Sequence, residues 1–147
     1  MKTKMIKKFI ALSLAVLVMA SNMVSAYAAY DIPDVPMHNS TNQWTENKVT
    51  GAIKPYPHDS HFQTFIASTK ANKRYDYISA QIFLEDAETN ASIATKEAYG
   101  VNLDSADVEA DVTYGYNTYV RVTGISRVGS SKSNITTEFG VRNIFKL

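Results

Sequence analysis

The chain contains no cysteine, only six glycines among 147 residues, and no segment with the apolar stripe of an amphipathic helix. Without cysteine there is no disulfide and no thiol chemistry, so the fold must be held by packing alone. The low glycine count disfavours a small closed barrel, because such barrels use glycine kinks to close. The sequence also lacks phosphate-binding glycine loops and the G-x-S-x-G elbow. We therefore predict no cofactor and no enzymatic activity.

Clustered positive charge is also scarce beyond the first 28 residues. Residues 29–147 carry eleven basic and fourteen acidic residues, a formal net charge of −3. Nucleic-acid binding needs a concentrated basic face. The nearest group is Lys70, Lys73 and Arg74, which is typical of ordinary solvated surface. We predict no nucleic-acid partner.

The N-terminus has the organisation of a secretory signal peptide. Four lysines and no acid occupy residues 1–8, residues 9–20 are almost entirely apolar, and Ser25–Ala28 ends in a small-x-small pattern. The apolar run is shorter than the roughly 20 residues of a membrane span. We predict cleavage after Ala28, the alternative being an uncleaved anchor. The protein is then secreted and extracellular, and it contacts a membrane only through this segment before cleavage. The absence of cysteine favours a bacterial source.

The next segment, residues 29–60, holds all four prolines of the chain. Proline removes a backbone donor and fixes φ, so it is poor in central strands. We interpret 29–60 as an irregular N-terminal arm, with a short strand near Gln43–Ile53. Residues 61–147 then form the single folded domain.

That domain has the period-two alternation of β-strands. Residues 75–85 predict a half-buried strand with one aliphatic face, formed by Ile78, Ala80, Ile82 and Leu84. A polar turn at 86–90 precedes a returning strand, Ser92–Tyr99. Val108, Ala110 and Val112 mark another strand, because they alternate with acids.

The clearest hairpin lies near the C-terminus. Residues 118–127 place Val120 and Val122 on one face, and a loop of turn formers follows at 129–133. The next strand predicts one face containing Ile135, Thr137, Phe139 and Val141. The stretch Thr118–Gly124 with this threonine-rich strand resembles the late hairpin of immunoglobulin-like sandwiches, without their Cys…Trp…Cys signature. We predict an all-β fold, a single antiparallel immunoglobulin-like β-sandwich of six or seven strands.

Tyrosine and arginine supply the candidate ligand-binding residues. Five of them fall on strand faces opposite the aliphatic ones: Tyr75, Tyr77, Tyr119, Arg121 and Arg127. Such side chains offer a large contact area with a polar end. The alternative interpretation is structural, since tyrosine favours strands and cross-strand aromatic pairs stabilise sheets.

Two further clusters suggest metals. His58, Asp59 and His61 have ligand chemistry, although zinc needs three or four converging ligands and an exposed polar loop is the alternative. Acids at 104, 107, 109 and 111 suggest calcium, but their spacing differs from a calcium loop, and a solvated acidic face is the alternative.

Taken together, export, small size and β patterning predict a non-catalytic binding protein. It would act at or near the cell envelope on a protein or glycan ligand. One alternative is a secreted bacteriocin-like or toxin-like effector. The other is a metal-dependent enzyme using His58, Asp59 and His61.

Overall fold

The computed structural model describes residues 31–57, 62–113 and 119–147. The predicted signal peptide and the His58, Asp59 and His61 cluster lie outside these ranges. The described ranges contain nine strands: β1 (Met37–Asn39), β2 (Gln43–Glu46), β3 (Val49–Pro57), β4 (Phe62–Tyr75), β5 (Tyr77–Asp86), β6 (Ser92–Gly100), β7 (Leu103–Thr113), β8 (Tyr119–Ser131) and β9 (Asn134–Lys146). Within them, no helix is long and apolar enough to cross a membrane.

The strands form two sheets. The five-stranded sheet has the order β1-β9-β8-β5-β6, and the four-stranded sheet has the order β2-β3-β4-β7. Among these nine described strands, β1 and β9 pair in parallel and all other neighbours are antiparallel. The all-β prediction is confirmed, and the hairpin near the C-terminus is confirmed as β8 and β9.

The core lies between the inner faces of the two sheets. Phe65 of β4 and Phe139 of β9 are its largest fully buried side chains. The predicted aliphatic face of β5 is confirmed, because its four residues are fully buried in this core: Ile78, Ala80, Ile82 and Leu84. The alternation in β7 also buries Val108, Ala110 and Val112, while the acids between them are exposed. Burial of this apolar area is the main force that holds the sheets together.

The opposite side of β5 differs from the sequence prediction of a half-buried strand. Tyr77, Ser79 and Phe83 are buried as well. The strand lies between β8 and β6, and long side chains from these neighbours cover it. Tyr99 of β6 stacks on Tyr77, and Arg127 of β8 donates to Gln81.

The proline-containing segment is more regular than the sequence predicts. It supplies β1, β2 and β3, which raises the number of strands above the expected six or seven. The prolines fit because β2 pairs with β3 only as far as Ala52, so at Pro55 and Pro57 β3 has a partner on one side only. Proline is tolerated at such edge positions.

One predicted face in β9 is wrong. Val128 pairs with Thr137, but Gly129 pairs with Ile135, so the register shifts by one residue at Thr136. A one-residue shift moves a side chain to the other face. Ile135 consequently leaves the face of Thr137 and lines a groove on the outside of the sheet.

Candidate functional site

The candidate site is the outer face of the five-stranded sheet. Cross-strand register aligns the outward side chains of β6, β5, β8 and β9 in rows. Ser79 lies opposite both Tyr99 and Arg127, and Arg127 lies opposite Glu138. Of the five candidate residues, the face carries Tyr77, Tyr119, Arg121 and Arg127.

Tyr75 is not on this face. It ends β4 after a register shift and pairs with Leu103 of β7 in the four-stranded sheet. Its ring is half-buried against the core, with the Lys73 Nζ 5.0 Å from the ring centroid. The strand breaks at Asp76, where the chain passes from one sheet to the other. The sequence prediction treats 75–85 as one continuous strand and therefore places Tyr75 on the wrong sheet.

Arg127 forms the centre of one groove, which we call the Arg127 groove. Its volume is about 420 Å³, and its lining is Pro33, Tyr77, Gln81, Glu97, Arg127, Lys132, Ile135 and Glu138. The Arg127 Nε donates to Glu138 Oε1, and Nη1 donates to Gln81 Oε1 at 3.0 Å. Glu97 lies 3.9 Å from Arg127 Nη1 and 3.4 Å from Lys132 Nζ. Two positive charges therefore face two negative charges, and the groove is electrically balanced.

Tyr77 lines this groove next to Glu97, and Tyr99 stacks against it from outside the lining. The Tyr77 hydroxyl donates to Glu97 Oε1 at 3.3 Å, and the rings of Tyr77 and Tyr99 stack with centroids 6.2 Å apart. Only 6% of Tyr77 is exposed, against 70% of Tyr99. Tyr99 is therefore the accessible ring. Sequence reasoning missed it, although its position opposite Ser79 in the predicted β5–β6 pair was the available signal.

A second groove, the Arg121–Arg142 pocket, lies at the other end of the same face. It has a volume of about 330 Å³ and is lined by Asn39, Ser40, Arg121, Arg142, Asn143 and Ile144. The Arg121 Nη1 donates to Asn90 Oδ1 at 2.6 Å and lies 3.9 Å from Glu85 Oε2. The Arg142 Nε donates to Thr123 Oγ1 at 2.9 Å.

The parallel pairing of β1 with β9 builds one wall of this pocket. It places Asn39 beside Arg142, and the chain then turns at Ser40, whose φ is 57°. Sequence reasoning missed Arg142. The alternation in β9 could have indicated it: Phe139 and Val141 point inward, so Arg142 points outward.

The described residues form no metal site for either of the two predicted clusters. The histidine-containing cluster lies outside the described residues. The acids of β7 point outward along an edge strand, where Asp111 Oδ1 accepts a hydrogen bond from Thr64 Oγ1 at 2.7 Å. In the part of the chain that the structure describes, no three histidine, aspartate or glutamate residues converge as metal ligands would.

No protein-family model and no curated protein matches the chain. Among solved structures, it is similar to β-glucosidase 3B from Thermotoga neapolitana in complex with glycerol, at 13% identity and a TM-score of 0.31, over 68% of this chain and 16% of that one. It is also similar to a β-glucosidase from Kluyveromyces marxianus in complex with glucose, at 10% identity and a TM-score of 0.31. That likeness covers 66% of this chain and 14% of the glucosidase. The chain spans less than a fifth of either protein, and these values assign neither a family nor an activity.

Proposed function

We propose that the chain is a secreted, non-catalytic binding protein that holds a protein or glycan ligand at or near the cell envelope. The observation that carries this proposal is the outer face of the five-stranded sheet, which has two grooves lined by arginines and exposes tyrosine rings beside them. Binding groups placed on paired strands are held more rigidly than groups on loops. A preorganised surface loses less conformational entropy when it binds.

The chemistry of the face suits a sugar or a protein surface. Tyr99 offers an exposed ring with a polar end, and aromatic side chains of this kind are effective contact residues at low entropic cost. The Arg127 groove beside it offers both charged donors and carboxylate acceptors. Such mixed hydrogen-bonding groups match the hydroxyls of a glycan or the polar groups of a peptide.

For the fold, we propose an immunoglobulin-like sandwich. Support comes from the strand order, in which β9-β8-β5-β6 corresponds to G-F-C-C′ and β3-β4-β7 corresponds to A-B-E. For the location, we propose export from a bacterial cell, supported by the basic, apolar and small-residue order of the first 28 residues.

Binding of the purified protein to arrayed glycans and envelope proteins tests the proposal, with affinities measured by calorimetry. Tyr99→Ala removes the exposed ring that stacks on Tyr77 beside the Arg127 groove. The control is Tyr56→Ala, which removes a ring of similar exposure, 58%, from the four-stranded sheet. We expect Tyr99→Ala to weaken binding about tenfold, as truncation of a contact aromatic does, and Tyr56→Ala to leave it unchanged. An equal loss in both variants, or no ligand on either array, would contradict the proposal.

A further inference from the structure

Two arginines, Arg121 and Arg142, line the Arg121–Arg142 pocket. Arg121 pairs with Ile144 and Arg142 pairs with Thr123 across the β8–β9 ladder, so the two arginines are diagonal neighbours on one face. Their positions are fixed by hydrogen bonds to Asn90 and Thr123. Two positive charges that line the same pocket repel each other, and an anion bound there would reduce that repulsion.

The protein supplies little of that negative charge. Glu85 approaches Arg121 only to 3.9 Å, and no carboxylate pairs with Arg142 among the described residues. In the same ranges, the Nη atoms of Arg142 donate to no protein atom. The side chains of Asn39 and Ser40 also line the pocket and have no hydrogen-bond partner in those ranges. Unused donors therefore converge on one concave site.

The charge of the face is uneven from end to end. The lining of the Arg121–Arg142 pocket contains two arginines and no carboxylate, and Glu85 lies 3.9 Å from Arg121, whereas the Arg127 groove is balanced. Tyr119 and Ile144, both exposed, are neighbours of Arg121 on the same face and give the site an apolar flank. Of these two grooves, the Arg121–Arg142 pocket is therefore the one with an excess of positive charge in its lining.

We infer that the Arg121–Arg142 pocket binds an anionic oxygen group, a carboxylate or a phosphate, carried by an acidic glycan. This inference rests on the proposed function and names the chemistry of one end of its ligand. The planar fork of a guanidinium matches both groups in a bidentate way, and the exposed Tyr119 ring and Ile144 are placed to contact the attached sugar. Since the pocket is open to solvent, binding weakens as salt concentration rises.

NMR titration of the ¹⁵N-labelled protein tests this inference with three probes: inorganic phosphate, galacturonate and neutral galactose. The readout is the shift of the Arg142 Nε–H and of the backbone amides of Asn39 and Arg142. The variant Arg142→Gln removes the guanidinium. Arg74→Gln is the control, because Arg74 is an exposed arginine on β4 of the other sheet. The spectra themselves report whether each variant is folded.

We expect at least one of the two anions to give saturable shifts at the pocket. Arg142→Gln weakens that binding about tenfold or more, as loss of a charge-assisted contact does, and Arg74→Gln leaves it within about twofold. Shifts with phosphate alone identify a phosphate-bearing ligand, and shifts with galacturonate alone identify a carboxylate-bearing one. Galactose is expected to leave the pocket resonances unchanged.

The inference is overturned if neither anion saturates, or if both variants weaken binding equally, which would indicate diffuse surface charge. Should the anions fail while Tyr99→Ala still weakens binding of an arrayed ligand, this inference falls and the proposed function stands. Should the arrays yield no ligand while the pocket still binds an anion, the proposed function falls instead.

Discussion

At the scale of single residues, Asp86 shows how one carboxylate organises a turn. Its Oδ1 accepts hydrogen bonds from the backbone N–H groups of Thr89 at 2.8 Å and Glu88 at 2.9 Å, at the end of β5. These donors stabilise the ionised form and lower the pKa of the Asp86 carboxyl, with the Thr89 N–H the largest contribution. The turn it holds contains Asn90, the hydrogen-bond partner of Arg121. A local turn interaction thus supports the Arg121–Arg142 pocket.

The lowered pKa of Asp86 has a definite consequence for pH dependence. The folded state favours the carboxylate, so its contribution to stability is complete at neutral pH and is lost as pH falls through the folded pKa. NMR titration of the side-chain carboxyl should give a pKa below the ordinary value of about 3.9. Asp86→Asn keeps an acceptor and does not titrate, so the stability difference between parent and variant should shrink in acid. A folded pKa at or above the ordinary value would refute this assignment.

At the scale of elements, one buried polar contact joins the two sheets. The Thr69 Oγ1 on β4 lies 2.8 Å from the backbone oxygen of Ser79 on β5 and 2.8 Å from the Ser126 Oγ on β8. Thr69 and Ser79 are fully buried and Ser126 nearly so. Buried hydroxyl groups are costly when left unpaired, so this contact favours one relative placement of the sheets.

Thr69→Val keeps the shape of the side chain and removes its hydroxyl. It should lower the free energy of unfolding by about 1–3 kcal/mol, because Ser126 loses a buried partner. Thr50→Val is the matched control, since Thr50 forms an exposed hydroxyl pair with Thr45, and surface changes usually stay within about 0.5 kcal/mol. Urea unfolding measures both variants. An equal change in the free energy of unfolding in both variants would show that the buried contact contributes no more to stability than the exposed one.

The elements also show what the sequence could and could not predict. The inward faces of β5, β7 and β8 were predictable, because each depends on local alternation. Ile135 was misplaced because the register shift at Thr136 leaves no signature in hydrophobicity. In the site, Arg121 and Arg127 were found from alternation, but Asn39 reaches the pocket only through the pairing of β1 with β9, a contact between distant segments. Pairing of that kind is not encoded in a local pattern.

At the scale of the whole molecule, the proposal of export makes a prediction about mass. The protein recovered from culture medium should lack residues 1–28 and begin at Ala29, because the small-x-small pattern ends at Ala28. Intact-mass spectrometry of the medium and of the cell pellet measures this directly. Replacing Ala26 and Ala28 with bulkier residues should retain the longer species in the cell fraction. A full-length protein in the medium would contradict cleavage at this site.

The parallel contact of β1 with β9 has a consequence for how copies of the molecule meet. β8 pairs along one edge of β9, and the other edge is covered in the described ranges by Met37–Asn39, with hydrogen bonds from Gly140 N to Pro36 O and from Thr41 N to Arg142 O beside them. An unpaired strand edge is a template for another chain. If these three residues detached, the backbone N–H and C=O groups along this edge of β9 would lose their partners and be open to pairing with another strand.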